Sequence, residues 1–262
     1  MNGSDNLKIS TGFKELDNII NIEKSDLILL ASRPTMGKTT LALNIASNLI
    51  NENIPTLIFS LDISKEQAVN RIITSRSLIT LDKIRTRKLN VEEWTTLGQV
   101  FNNITNANLY ISKPTKPTIE KIENVCRNMK KEKNIDLVII DYLQLLDNNL
   151  EMAEIIKRLK ALGKELDIAI LVLSQLSLET KQRTNHRPLL SDLTNDKNII
   201  NYIDSILFLY RDIYYNTNTN EPNIAEILIA KSKNNKCKTV KLKFMSEYFK
   251  FDNIISFDQE KE

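Results

Sequence analysis

The chain has 262 residues, 42% of them hydrophobic and 26% charged, with a net charge of +3. That is enough for one large α/β domain with a packed interior, and too slight a positive balance to argue nucleic-acid binding from charge alone. No apolar run reaches membrane-span length and the N-terminus lacks a signal-peptide pattern. Two cysteines, Cys126 and Cys237, offer neither a disulfide framework nor a metal spacing, which places the chain in a reducing compartment: the cytoplasm, or an organelle interior such as a plastid.

The first apolar run, 26–31, predicts a buried strand. Ser32-Arg33-Pro34-Thr35-Met36-Gly37-Lys38-Thr39-Thr40 follows it, and an apolar helical pattern begins at Leu41. Strand, tight loop and helix in this order are the layout of a P-loop, the phosphate cradle of NTPases. A helix N-terminus presents unpaired N–H groups and a partial positive charge to a triphosphate. Lys38 adds a full charge at the β- and γ-phosphates, and the Thr39 hydroxyl suits Mg²⁺. The pattern calls for Gly at position 32, where this chain has Ser. The plain alternative is a chance Gly-Lys-Thr at a helix start.

Strands are predicted next at 55–61, 108–112, 136–141, 168–174, 205–210, 225–231 and 239–245. The middle ones are continuous apolar runs, as in strands covered on both faces. Between them, Ser64 and Gln67 form a capping box for a helix through the seventies. Val91, Trp94, Leu97, Phe101 and Ile104 fall on one helical stripe, which assigns Trp94 to the core. Further helices cover 117–132, with Cys126 on the apolar face, and 151–166. The polar stretch 216–223 reads as a surface loop. The β-α alternation predicts a mostly parallel sheet wrapped by helices, with antiparallel hairpins at one edge.

Asp62 follows the second strand, Asp141 ends the strand 136–141, and Gln175 follows the strand 168–174. With the P-loop, these groups converge on the carboxyl edge of one sheet, where α/β proteins place ligands. An Asp at the end of a buried strand holds Mg²⁺ through its water shell in P-loop enzymes, and Gln175 stands where a γ-phosphate or attacking water is sensed.

Several runs then align with one family. Thr11-Gly12-Phe13-Lys14-Glu15-Leu16-Asp17, the P-loop, Asp141-Tyr142-Leu143-Gln144-Leu145-Leu146, Leu159-Lys160-Ala161-Leu162 and Leu173-Ser174-Gln175-Leu176 come in that order. Arg187-Pro188, Ser191-Asp192-Leu193 and Leu209-Tyr210-Arg211-Asp212 continue it. Together they resemble the ATPase domain of DnaB-type replicative helicases, in which a missing first P-loop Gly is ordinary. The match divides the chain into a flexible segment 1–8, a motor domain 9–253 and a tail 254–262. The resemblance implies a RecA-like fold, ATP with Mg²⁺ at subunit boundaries of a six-membered ring, and translocation on single-stranded DNA, with other replication proteins as partners. It gives Lys38 and Thr39 as phosphate and Mg²⁺ ligands, Asp141 as the second metal-side carboxylate and Gln175 as the γ-phosphate sensor.

The chain departs from the family at four places. The family's catalytic Glu is Asp62 here, one methylene shorter, with Glu66 one helical turn on as a conceivable substitute. The family's trans-acting Lys-x-Arg pair is Lys231-Ser232-Lys233; the alternative reading of 231–238, four Lys among eight residues, is a solvated basic turn. The DNA-gripping Arg-Glu-Ser-Gly is replaced by Thr194-Asn195-Asp196-Lys197, leaving Thr194, Asn195 and Lys197 as DNA contacts. The family's N-terminal helical domain and docking linker have no counterpart before residue 9, so a weak ring is expected. The chain therefore reads as a Mg-ATP-hydrolysing helicase motor. The alternatives are a regulatory or assembly ATPase of the same fold without unwinding, and a nucleotide-binding scaffold with negligible turnover.

Overall fold

The computed structural model describes residues 8–146, 150–176, 185–193 and 198–254. In chain order its elements begin with α1 (Lys14–Asp17), β1 (Leu27–Ser32), α2 (Lys38–Leu49), β2 (Thr56–Ser60), α3 (Lys65–Ser77), α4 (Leu81–Thr86) and α5 (Val91–Thr105). They continue with β3 (Leu109–Ser112), α6 (Ile119–Lys133), β4 (Leu137–Asp141), α7 (Met152–Leu166), β5 (Ala169–Gln175), α8 (Asn198–Tyr202) and β6 (Ser205–Tyr210). The last are β7 (Ile224–Lys231), β8 (Thr239–Met245) and β9 (Lys250–Asn253).

The described strands form one sheet in the order β3-β2-β4-β5-β1-β6-β7-β8-β9. The first six in that order are parallel, and β7, β8 and β9 add antiparallel at the edge, as the sequence predicts. β1 is buried along its whole length because both faces are covered. Its side chains alternate between two cores. Ile28 and Leu30 pack with Leu41, Ile45 and Ile58, while Leu27, Leu29 and Ala31 pack with Ile140, Leu159 and Phe208. Each such side chain contributes about 1.5–3 kcal/mol relative to exposure. β8, with one face solvated, alternates exposed and buried residues instead. Among the described residues no helix is long and apolar enough to cross a membrane.

The Ser64–Gln67 capping box forms with both reciprocal hydrogen bonds. Cys126 is buried, and burial pushes its thiol up to about 12, so it is an inert core residue. Trp94 corrects the sequence reading. It is 49% exposed, as are Phe101 (47%) and Val91 (81%), because α5 turns only Leu97 and Val100 into a small cluster with Ile73 and Ile79. The layer formed by α4 and α5 lies outside the sheet and has a neighbour on one side only. β9 has no apolar run to announce it. It becomes a strand by pairing with β8 and by exchanging hydrogen bonds with Asn44 on α2.

The run 11–17 anchors the chain's start. Asp17 accepts hydrogen bonds from the Ser10 hydroxyl and from the backbone N–H and hydroxyl of Thr11. Asn48 on α2 donates to the Thr11 carbonyl. Gly12 has φ +79°, and a Cβ there would lie 2.3 Å from Asn48 Nδ2.

Candidate functional site

β1 ends at Ser32, and the loop 33–37 turns back into α2. Ser32 is the last strand residue and has no positive φ, so nothing there requires glycine. Thr35 (φ 65°) and Gly37 (φ 103°) make the turn. Gly37 is the N-cap of α2 and no side chain caps the helix, so the first-turn N–H groups stay open toward the loop. The Arg33 and Met36 side chains leave the loop. Arg33 is buried and donates to the Tyr215 hydroxyl at 2.6 Å, with its guanidinium over the Tyr215 ring, and Met36 enters the core. At these two positions only the backbone can face a ligand. Pro34 and Thr35 form the partly exposed crest, and Thr40 is buried behind it.

The strand register brings the other groups alongside. Ser32 lies opposite Gln175, and Ser60 opposite Asp141. Leu61 N–H donates to the Asp141 carbonyl at 2.9 Å, which holds the exposed Asp62 beside Asp141. Lys38 is 8% exposed. Burial lowers its pKa, and the nearby Asp141 and Asp62 partly restore it. Burial likewise raises the Asp141 pKa, against a hydrogen bond with Thr39 and the charges of Lys38 and Arg71. Asp62 adds a like charge that also raises it. Lys38, Thr39, Asp62, Asp141 and Gln175 therefore share one sheet edge.

Asp141 Oδ1 is buried with no hydrogen-bond partner. A buried carboxylate oxygen in that state is costly unless something cationic or a water meets it. Among the described residues no three His, Cys, Asp or Glu side chains cluster to hold a metal. Mg²⁺ needs no such cage, because it takes one or two protein oxygens and fills its shell with water and phosphate. The Thr39 hydroxyl and Asp141 fit that requirement.

Sequence reasoning missed several neighbours. Arg71 on α3 carries a charge that reaches Asp141, and its guanidinium lies over the Phe249 ring. Its only signal in the sequence is a lone basic residue on a helix. Phe251 sits where a Cβ on Gly37 would come within 3.0 Å, and Arg211 stacks on the adjoining Phe244 at 4.1 Å. Tyr142 lies 4.9 Å from the Lys38 ammonium. His186 stacks on Tyr215 rather than joining the site.

Lys231 and Lys233 are elsewhere. Lys231 donates to the carbonyls of Ile200 and Ile203, and Lys233 pairs with Asp26 and Glu23. Asp26 precedes β1, so Lys233 is at the amino edge of the sheet, a six-residue strand (roughly 20 Å) from this chain's own loop. Burial disfavours the Lys233 charge, but its two carboxylate partners outweigh burial and raise its pKa. Thr194, Asn195 and Lys197 lie outside the described residues.

Comparison with known proteins agrees with this geometry. Residues 8–253 match the DnaB-like helicase C-terminal domain. The chain belongs to that family. It is 40% identical over 258 residues to the replicative DNA helicase DnaB of Geobacillus stearothermophilus, covering 94% of this chain and 56% of that protein. It is 38% identical over 256 residues to the replicative DNA helicase DnaC of Bacillus subtilis, with the same shares covered. The chain thus spans a little over half the length of these relatives. Among solved structures, an isolated ATPase domain superposes with a TM-score of 0.88 at 33% identity, covering 97% of this chain and 94% of that one. A DnaB-like replicative helicase, described with its interactions with primase, gives a TM-score of 0.87 at 34% identity over 94% of this chain and 62% of that one. The expected RecA-like fold of the family's ATPase domains is therefore the fold of this chain.

Proposed function

We propose that this chain is the ATP-driven motor of a replicative DNA helicase, acting with Mg²⁺ and moving on single-stranded DNA. One observation carries the reading: Asp141, hydrogen-bonded to Thr39 and with its other oxygen unpartnered, faces Lys38 at the open N-terminus of α2. The α2 N–H groups and Lys38 would hold the phosphates, and Thr39 and Asp141 the metal. Once bound, Mg²⁺ offsets charge building on the phosphate oxygens during transfer. Asp62 would orient and deprotonate the attacking water, and Gln175 would meet the γ-phosphate.

Lys231 and Lys233 fit a role on a neighbouring subunit's nucleotide, because they occupy the edge opposite their own loop. That supports a ring of like subunits, six by analogy with the family. Thr194, Asn195 and Lys197 are the DNA contacts in this reading. A primase is a candidate partner, since a structural neighbour is described with one. Two free thiols suit a reducing cytoplasm.

The test is ATP turnover measured across protein concentrations, with and without single-stranded DNA, beside Lys38→Ala. We expect DNA stimulation that rises with concentration, and loss of turnover in a folded Lys38→Ala. Nucleotide binding without DNA stimulation at any concentration would instead favour a regulatory ATPase. A Lys38→Ala chain with native circular dichroism and normal turnover would remove the phosphate site itself.

A further inference from the structure

β5 loses its neighbour before it reaches Gln175. β4 pairs with β5 from Leu137 opposite Ala169 to Ile140 opposite Val172, and the chain after Asp141 then turns into a short 3-10 segment, Leu143–Leu145. β5 continues to Gln175. On its other side β1 stays in register to the end, with Ser32 opposite Gln175 and Leu176 N–H donating to the Ser32 carbonyl. Toward β4 no strand remains to satisfy the Gln175 peptide groups.

The side chain of Gln144 does so. Its Oε1 accepts from the Gln175 N–H at 3.2 Å, and its Nε2 donates to the Gln175 carbonyl at 3.1 Å and to the Ser174 hydroxyl at 2.9 Å. A primary carboxamide carries the same donor and acceptor as a peptide group, so one glutamine can extend a ladder that backbone has left. Gln144 is itself exposed, so burial does not explain it. Its backbone is held by the buried Leu143 and Leu146 on either side.

We propose that Gln144 is a positioning residue for the nucleotide site. Its carboxamide sets the backbone of Gln175, and with it the placement of the Gln175 side chain. Gln144 stands three residues after Asp141, on the same rigid segment. One side chain thereby ties the metal-side carboxylate to the group that meets the γ-phosphate. The inference rests on the reading of Gln175 as that group.

The test compares binding of Mg-ADP and a non-hydrolysable Mg-ATP analogue, with thermal stability, in Gln144→Leu, Gln144→Asn, Gln175→Ala and the double variant Gln144→Leu/Gln175→Ala. Leu keeps the bulk and loses every hydrogen bond; Asn keeps the carboxamide one methylene short. We expect both to lower the preference for the ATP analogue over ADP by about tenfold while leaving ADP affinity and melting temperature nearly unchanged. The double variant should lose no more preference than Gln175→Ala alone. Equal weakening of both nucleotides with a lower melting temperature, or losses that multiply in the double variant, would overturn the proposal and leave a structural role. If Gln175→Ala loses the preference and Gln144→Leu keeps it, positioning by Gln144 fails while the Gln175 reading stands. If Gln175→Ala itself keeps the preference, the Gln175 reading fails and the proposal falls with it.

Discussion

Asp62 shows how a single side chain sets the limits of this site. It is fixed by the Leu61 bond to Asp141, and its charge reaches Lys38, Asp141 and Tyr142. A general base must come within hydrogen-bond distance of its water, and Asp reaches one methylene less far than the Glu usual in the family. Asp62→Glu should therefore raise ATP turnover a few-fold. Asp62→Asn should lower it by roughly 10²-fold or more, since both basicity and charge go. Steady-state turnover at saturating nucleotide checks both. Normal turnover in Asp62→Asn would transfer the role to another residue, with Glu66 the first to examine.

Elements in this fold depend on close approach at particular backbones. The segment 9–22 closes on α2 because Gly12 admits Asn48 against its Cα and adopts φ +79°. Gly12→Ala should therefore cost about 1–3 kcal/mol, from positive-φ strain and the displaced Asn48. Gly98 is the contrast. It is exposed within α5, and nothing lies within 4 Å of a Cβ there. Gly98→Ala should add about 0.5–1 kcal/mol through helix propensity alone. Urea unfolding of the two variants measures both, and equal stabilities would show that 9–22 does not dock as described.

At the scale of the whole molecule, the two ends of the sheet carry different charges for different purposes. The carboxyl edge gathers the nucleotide groups, and the amino edge gathers Lys231 and Lys233. If Lys233 serves a neighbour's nucleotide, it must exchange Asp26 and Glu23 for phosphate when subunits meet. Lys233→Ala should then leave nucleotide affinity of the isolated chain unchanged and abolish the part of turnover that rises with protein concentration. Mixing it with Lys38→Ala should return some activity, because each chain supplies what the other lacks at one kind of boundary. Lys233→Arg should equal or exceed the natural chain, since the planar guanidinium grips two oxygens. A solvated basic turn predicts that all these preparations behave like the natural chain at every concentration.

What was legible in the sequence was whatever periodicity and local order encode. Buried strands announced themselves as apolar runs, the P-loop as strand, loop and helix, and the site groups as polar residues at strand ends; strand register then set Ser32 beside Gln175 and Ser60 beside Asp141. Other features depend on which surfaces meet. Trp94 lies on an apolar stripe, yet α5 has one neighbour and leaves it half-exposed. Arg71 reaches Asp141 because α3 packs across α2, and β9 is a strand because β8 and Asn44 complete its hydrogen bonds. Lys233 pairs with Asp26 across more than 200 positions of chain, and Gln144 replaces a strand that ends early. A pattern along the chain sets which face is apolar. Only the packed structure decides what covers that face and which distant groups satisfy each buried charge and peptide group.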